Sequence, residues 1–131
     1  MSEADRPPVG SIAWRDLTVD DAAPLRDFYA AVVGWKSDAC EMDGYSDFSM
    51  MPPGGGEAVA GICHARGSNA DLPPQWLLYI VVGDLDASIR ECFARGGAVT
   101  VEPRPLSGGR FCVIRDPAGA VCALFCPGGG E

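Results

Sequence analysis

Short stretches in which apolar and polar residues alternate are interrupted, twice, by a stripe with helical spacing. Ser11 to Val19 (SIAWRDLTV) alternates imperfectly and is rich in β-branched and aromatic side chains, which predicts a strand. Asp20 and Asp21 then offer helix caps, and Pro24 is tolerated in a first turn. Leu25, Phe28, Tyr29, Val32 and Val33 fall on one face of a helix that Gly34 ends. Trp35 to Glu41, Tyr45 to Met51 and Ala58 to Cys63 follow as short segments. Asp43-Gly44 and Pro52-Pro53-Gly54-Gly55-Gly56 separate them, so the spacing predicts a three-strand meander.

The stretch from Arg66 to Pro74 (RGSNADLPP) is polar and without period, and it reads as a linker, after which the order repeats. Gln75 to Val82 (QWLLYIVV) is a strongly apolar strand. Asp84 or Asp86 caps a second helix with the stripe Leu85, Ile89, Cys92 and Phe93, which Gly96-Gly97 stops. Ala98 to Val101, Arg110 to Arg115 and Ala120 to Cys126 supply three more strands, with Asp116-Pro117-Ala118-Gly119 as the last turn. Shifting the first half by 63 positions lays Val19 on Val82, Asp21 on Asp84, Ala31 on Ala94 and Gly34 on Gly97. A period this long is no solenoid, and the reading is an internal duplication within one α+β domain, βαβββ twice. The domain is expected to span 10–127, with modules at about 10–66 and 75–127. Residues 1–9 are expected to form a disordered leader and 128–131 a flexible tail.

With 131 residues, 47% hydrophobic and 21% charged, the chain can bury one ordinary core without a disulfide or metal staple. A formal net charge of -8 opposes nucleic acid and anionic membranes and leaves small neutral or cationic ligands open. The first residues carry no apolar signal segment and no run of about 18 apolar residues occurs, so the expected location is the cytoplasm. Six cysteines at 40, 63, 92, 112, 122 and 126 form no Cys-x-x-Cys pair, and buried reduced thiols are expected.

Asp16-Leu17-Thr18-Val19-Asp20-Asp21, then Phe28-Tyr29 and Gly34-Trp35, resemble the first βα unit of the vicinal-oxygen-chelate superfamily, the glyoxalase and bleomycin-resistance proteins. Trp76 to Val82, Asp84-Leu85-Asp86, Gly96-Gly97, Gly109-Arg110-Phe111 and Asp116-Pro117-Ala118-Gly119 resemble its closing pattern. The resemblance covers about Gly10 to Pro127. It implies a curled, cup-like mixed sheet with helices outside, and a homodimer. In the superfamily's enzymes four side chains on the inner face bind a divalent cation that polarises the substrate. Carried over one at a time, those positions fall on Trp14, Gly61, Leu77 and Ala123, none of which is a metal ligand. His64, the one histidine, falls on the face opposite Gly61 by period-2 counting and reads as a surface or strand-end residue. No metal and no cofactor is therefore expected.

An apolar, aromatic cup floor suits a small, flat, poorly charged ligand, with Asp16 and Tyr79 sharing the inner faces of Trp14 and Leu77. Trp14, Asp16, Phe48, Met50, Leu77, Tyr79 and Arg110 are the expected ligand-binding residues. For all but Tyr79 a plainer role stands beside it: Trp14 and Leu77 as core, Asp16 as a rim residue, Phe48 and Met50 packed beneath a helix, Arg110 solvated. No nucleophile–base pair can be assembled, and no catalytic residue is assigned. Two other readings compete: an enzyme, either metal-dependent through other ligands or metal-free with Asp16 or Tyr79 as acid or base, and a ligand-free dimeric interaction module.

Overall fold

A computed structural model describes residues 6–128. The elements run β1 (Ile12–Val19), α1 (Ala22–Val33), β2 (Lys36–Glu41), β3 (Ser46–Met51), β4 (Ala60–His64), β5 (Trp76–Val81), α2 (Leu85–Ala94), β6 (Ala98–Leu106), β7 (Gly109–Arg115) and β8 (Val121–Cys126). This is the α+β class with βαβββ twice. The expected leader and tail lie outside the described residues at 1–5 and 129–131. Gly10 and Ser11 are tied down: the Gly10 N–H donates to the Val81 carbonyl at 2.8 Å, and the Val81 N–H to that of Ser11 at 2.9 Å. No helix among the described residues is long and apolar enough to cross a membrane. The chain divides into two compact units, Trp14–Trp76 and a second that starts again at Leu77 and includes the described residues before Trp14.

Within the first unit the strand order is β2-β3-β4-β1. β1 runs parallel to β4, and the β4–β3 and β3–β2 pairs are antiparallel. Ala22, Phe48, Met50 and Ile62 are buried together, with Val19, Leu25, Tyr29, Trp35 and Trp76 packed against them. Burying each large side chain contributes about 1.5–3 kcal/mol. The Trp76 indole N–H donates to the Tyr29 hydroxyl at 3.0 Å, which joins these two aromatic residues through their polar atoms. The apolar stripe of α1 is wider than the strip the sheet covers. Leu25 and Tyr29 reach the core, whereas Phe28, Val32 and Val33 lie on its flank and are about half exposed.

The second unit repeats the plan as β5-β8-β7-β6, with β5 parallel to β8. Leu85, at the start of α2, is buried with Cys112 and Leu124, with Ile80, Val82, Ile89, Ile114 and Cys126 against them, while Phe93 is left exposed. β6 runs five residues beyond the expected Val101. Pro103 and Pro105 cannot donate to a ladder, but β6 ends its strand order, where a proline N is not needed, and register shifts at Val99/Val101 and Val101/Arg104 absorb the irregularity.

The two helix starts differ for a chemical reason. Asp84 accepts from the Ala87 N–H at 3.0 Å, a regular cap bond to the third helical residue. In α1 that third residue is Pro24, which has no N–H, and Asp21 makes no side-chain cap bond. The helix stops differ too. Gly34 is left-handed at φ 82°, whereas in the second module Gly96 takes the left-handed turn at φ 93°. Gly97 is required by packing instead, since a methyl group there would lie 2.6 Å from Cys92 Sγ.

Candidate functional site

Alternation along β1 puts Val19 under α1 and therefore Trp14, Asp16 and Thr18 on the face turned away from that helix. The register pairs Asp16 with Gly61 and Thr18 with Cys63, and Ser49 pairs with Gly61 from the other side, so these residues share one face. Cys40 Sγ lies 3.4 Å from Ser49 Oγ and extends the face onto β2. A methyl group added at Gly61 would meet Asp16 Cβ at 3.3 Å, the Trp14 ring at 3.5 Å and Cys63 Sγ at 3.7 Å. The Trp14 indole thus occupies the room that a side chain at 61 would take. Phe48 and Met50 belong to the other side of the same sheet. Of the two roles expected for them, their surroundings match the packed one, because β3 alternation sets them against Ile62 and against Ala22 of α1.

Two carboxylates, Asp16 and Asp47, act on the thiol of this face. Burial pushes the Cys63 thiol far above its ordinary range, and the carboxylates of Asp16 and Asp47, with Cys40, push it further, so Cys63 is a protonated, inert thiol. Asp47 is 6% exposed and accepts from the His64 backbone N–H at 2.8 Å. His64 ends β4 with Nδ1 3.3 Å from Asp47 Oδ1 and Nε2 3.7 Å from Asp21 Oδ1, beside the Tyr45 ring. The carboxylate that Pro24 denies a helix cap faces this histidine. Thr18, not singled out from the sequence, is 2% exposed, and among the described residues its hydroxyl has no hydrogen-bond partner. Its position four residues after Trp14 in the alternating strand was the available signal.

In the second unit Leu77 and Tyr79 alternate with Ile80 and so face away from α2. Tyr79 pairs with Ala123, Ala123 with Val113, and the Tyr79 and Phe111 rings lie 5.8 Å apart. Leu77, Tyr79, Phe111, Val113 and Ala123 are each no more than 3% exposed. For Leu77 the plainer alternative, core packing, describes its surroundings. Arg104 pairs with Phe111 and so shares this apolar face, a placement hidden in the sequence by the prolines on either side of it. Arg110 sits elsewhere: its guanidinium is 3.3 Å from Asp86 in the first turn of α2, and both side chains are about half exposed. Alternation along β7 puts Arg110 on the same side as Cys112, the side that faces α2.

A divalent cation does not fit these residues. Trp14, Gly61, Leu77 and Ala123 supply no donor side chain, and the neighbouring Cys63 thiol is held protonated. Among the described residues no group of three or more histidine, cysteine or acidic side chains is arranged to hold a metal ion. All six cysteines are free thiols, with Cys40 exposed.

The family model for the glyoxalase/bleomycin resistance protein/dioxygenase superfamily matches residues 10–124. The Mycobacterium tuberculosis protein CFP32, named as a candidate glyoxylase, is 32% identical over 119 residues, which cover 90% of this chain and 44% of that protein. The anthracycline biosynthesis protein DnrV of Streptomyces peucetius is 31% identical over 132 residues, covering 88% of this chain and 46% of that protein. The chain thus spans less than half the length of these curated relatives. Among solved structures, methylmalonyl-CoA epimerase from Mycobacterium tuberculosis superposes with a TM-score of 0.52 at 19% identity, covering 96% of this chain and 95% of that one, a likeness of fold. The chain belongs to the glyoxalase/bleomycin resistance protein/dioxygenase superfamily.

Proposed function

We propose that this chain is a metal-independent member of its superfamily that binds a small, largely apolar or aromatic molecule on the Trp14, Asp16 and Gly61 face. The observation that carries the reading is the indole of Trp14 standing beside Gly61. At two positions where the superfamily's enzymes place metal ligands, this chain puts an aromatic plate and a residue without a side chain. An indole offers a large rigid surface at small entropic cost, and a few polar groups beside it fix orientation. Leu77, Tyr79 and Phe111 serve as buried apolar framework in this reading, not as the contact surface.

The names of the relatives, a candidate glyoxylase and an anthracycline biosynthesis protein, point to chemistry on small organic molecules, which the same face would serve. An enzymatic version without metal would use Asp16 as acid or base. The binding reading is tested with the neutral indole alcohol tryptophol, titrated by NMR into the wild-type protein and into Trp14→Ala. Saturable binding that weakens at least tenfold in Trp14→Ala is expected. Equal affinity in both proteins, or no saturable binding to the wild type, would overturn the reading.

A further inference from the structure

We infer that a cleft beside Arg6, which shares no residue with the Trp14 face, binds a short-chain monocarboxylate. The cleft has a volume of about 100 Å³ and is lined by Arg6 together with Pro7, Val9, Val81, Val82 and Pro127, all of one compact unit. A reverse turn builds one wall. The Ser11 N–H donates to the Pro8 carbonyl at 3.0 Å and the Ser11 hydroxyl donates to the same oxygen at 2.6 Å, with Gly10 left-handed at φ 90°. The Gly10 N–H bond to the Val81 carbonyl and the Val81 N–H bond to Ser11 tie that turn to β5. Val9 lies against Gly83, its Cγ2 3.7 Å from where a methyl group there would stand. The Pro7-Pro8 pair, stiff in φ, then sets Arg6 at the cleft.

The second observation is the state of the guanidinium. Arg6 Nε is buried, and no described residue accepts a hydrogen bond from it. A charged donor withdrawn from water needs an acceptor. Acceptors bordering the cleft are already used: the Val81 carbonyl by Gly10, the Pro8 carbonyl by Ser11, and the Gly83 carbonyl by the Cys126 thiol at 3.7 Å. Asp84, which follows Gly83, spends its carboxylate on capping α2. Arg26, Arg95 and Arg110, by contrast, each meet a carboxylate. With 18 acidic and 10 basic residues in the chain, the Nε edge of Arg6 stays open through its placement and not for want of carboxylates. The Nε–H and the Nη–H beside it point the same way, two parallel donors spaced to meet the two oxygens of one carboxylate. The rest of the lining sets the remainder of the ligand. Proline and valine side chains offer aliphatic contact, and among the described residues no second cation lines the cleft, which suits a singly charged anion with a small aliphatic body over a phosphate.

The test titrates isobutyrate, its neutral isostere isobutyramide and inorganic phosphate into the full chain at low salt, followed by amide NMR shifts. Isobutyrate is expected to bind saturably, with a dissociation constant on the order of 1–10 mM for so small a ligand. Its shifts should gather on Val9, Val81, Val82 and Gly83, and isobutyramide and phosphate should bind at least tenfold more weakly. Arg6→Gln should abolish the isobutyrate response, while Arg90→Gln, which removes one exposed positive charge from α2, should leave it intact. Equal binding of isobutyramide, or tighter binding of phosphate, would overturn the monocarboxylate assignment. Shifts that gather on the Trp14 face instead, binding that survives Arg6→Gln, or no saturable binding of isobutyrate would overturn the site itself. The comparison of the three probes on the wild type requires no variant to fold, and circular dichroism of each variant reports whether its fold is kept.

Discussion

A thiol buried in an apolar core loses its proton late, and Cys112 beneath α2 is such a thiol. Burial first, then the neighbouring Cys92, Cys122 and Glu102, push it up to about 11. In the unfolded chain the same thiol ionises near its ordinary value of about 8.5. The unfolded state therefore binds fewer protons above that value, and the sign follows. The contribution of Cys112 to stability is intact below about pH 8.5 and is lost as pH rises through about 11. Urea unfolding should show stability falling by up to ~1.4 kcal/mol per pH unit in that window, with a shallower fall in Cys112→Ala. Equal slopes in both proteins would show that the thiol does not titrate this way. Residue placements of this kind were readable where alternation alone decides them. Asp16 beside Trp14, Cys63 beside Gly61 and His64 opposite Gly61 needed only period-2 counting along one strand. Phe48, Met50 and Arg110 needed the register of neighbouring strands and the side on which a helix lies, and neither is written in the local pattern.

At the scale of elements, the two helix starts make a controlled comparison inside one molecule. Asp84→Ala removes a cap bond to Ala87 and should lower stability by about 1 kcal/mol. Asp21→Ala removes no cap bond and should cost clearly less, since Pro24 leaves nothing at that position to cap and Asp21 faces a half-buried histidine at 3.7 Å instead. Thermal melts of the two variants check the order, and an equal or reversed cost would contradict it. The presence and type of the eight strands and two α-helices followed from the hydrophobic pattern and its Gly, Pro and Asp punctuation, whereas the short 3-10 turn Gly67–Asn69 lies in the stretch read as a linker. The full length of β6 did not, because two prolines inside a strand look like a break unless the strand is known to end its sheet order. The buried share of the α1 stripe was also invisible, since amphipathic spacing marks a helix face without saying how much of it a neighbour covers.

For the molecule as a whole, the duplicated order and the motifs around it carried the family, and the family model and the relatives bear that out. The proposed binding reading rests on fewer residues. Trp14 and Gly61 lie side by side, and Ala123 pairs with Tyr79; the resemblance places metal ligands at these positions in the superfamily's enzymes. The most direct test of the metal-independent reading is elemental analysis of the purified, tag-free protein, before and after incubation with nickel, cobalt, zinc and manganese followed by desalting. The account predicts metal well below one ion per chain in every sample; one tightly held ion per chain would contradict it and place a metal-dependent activity on other residues.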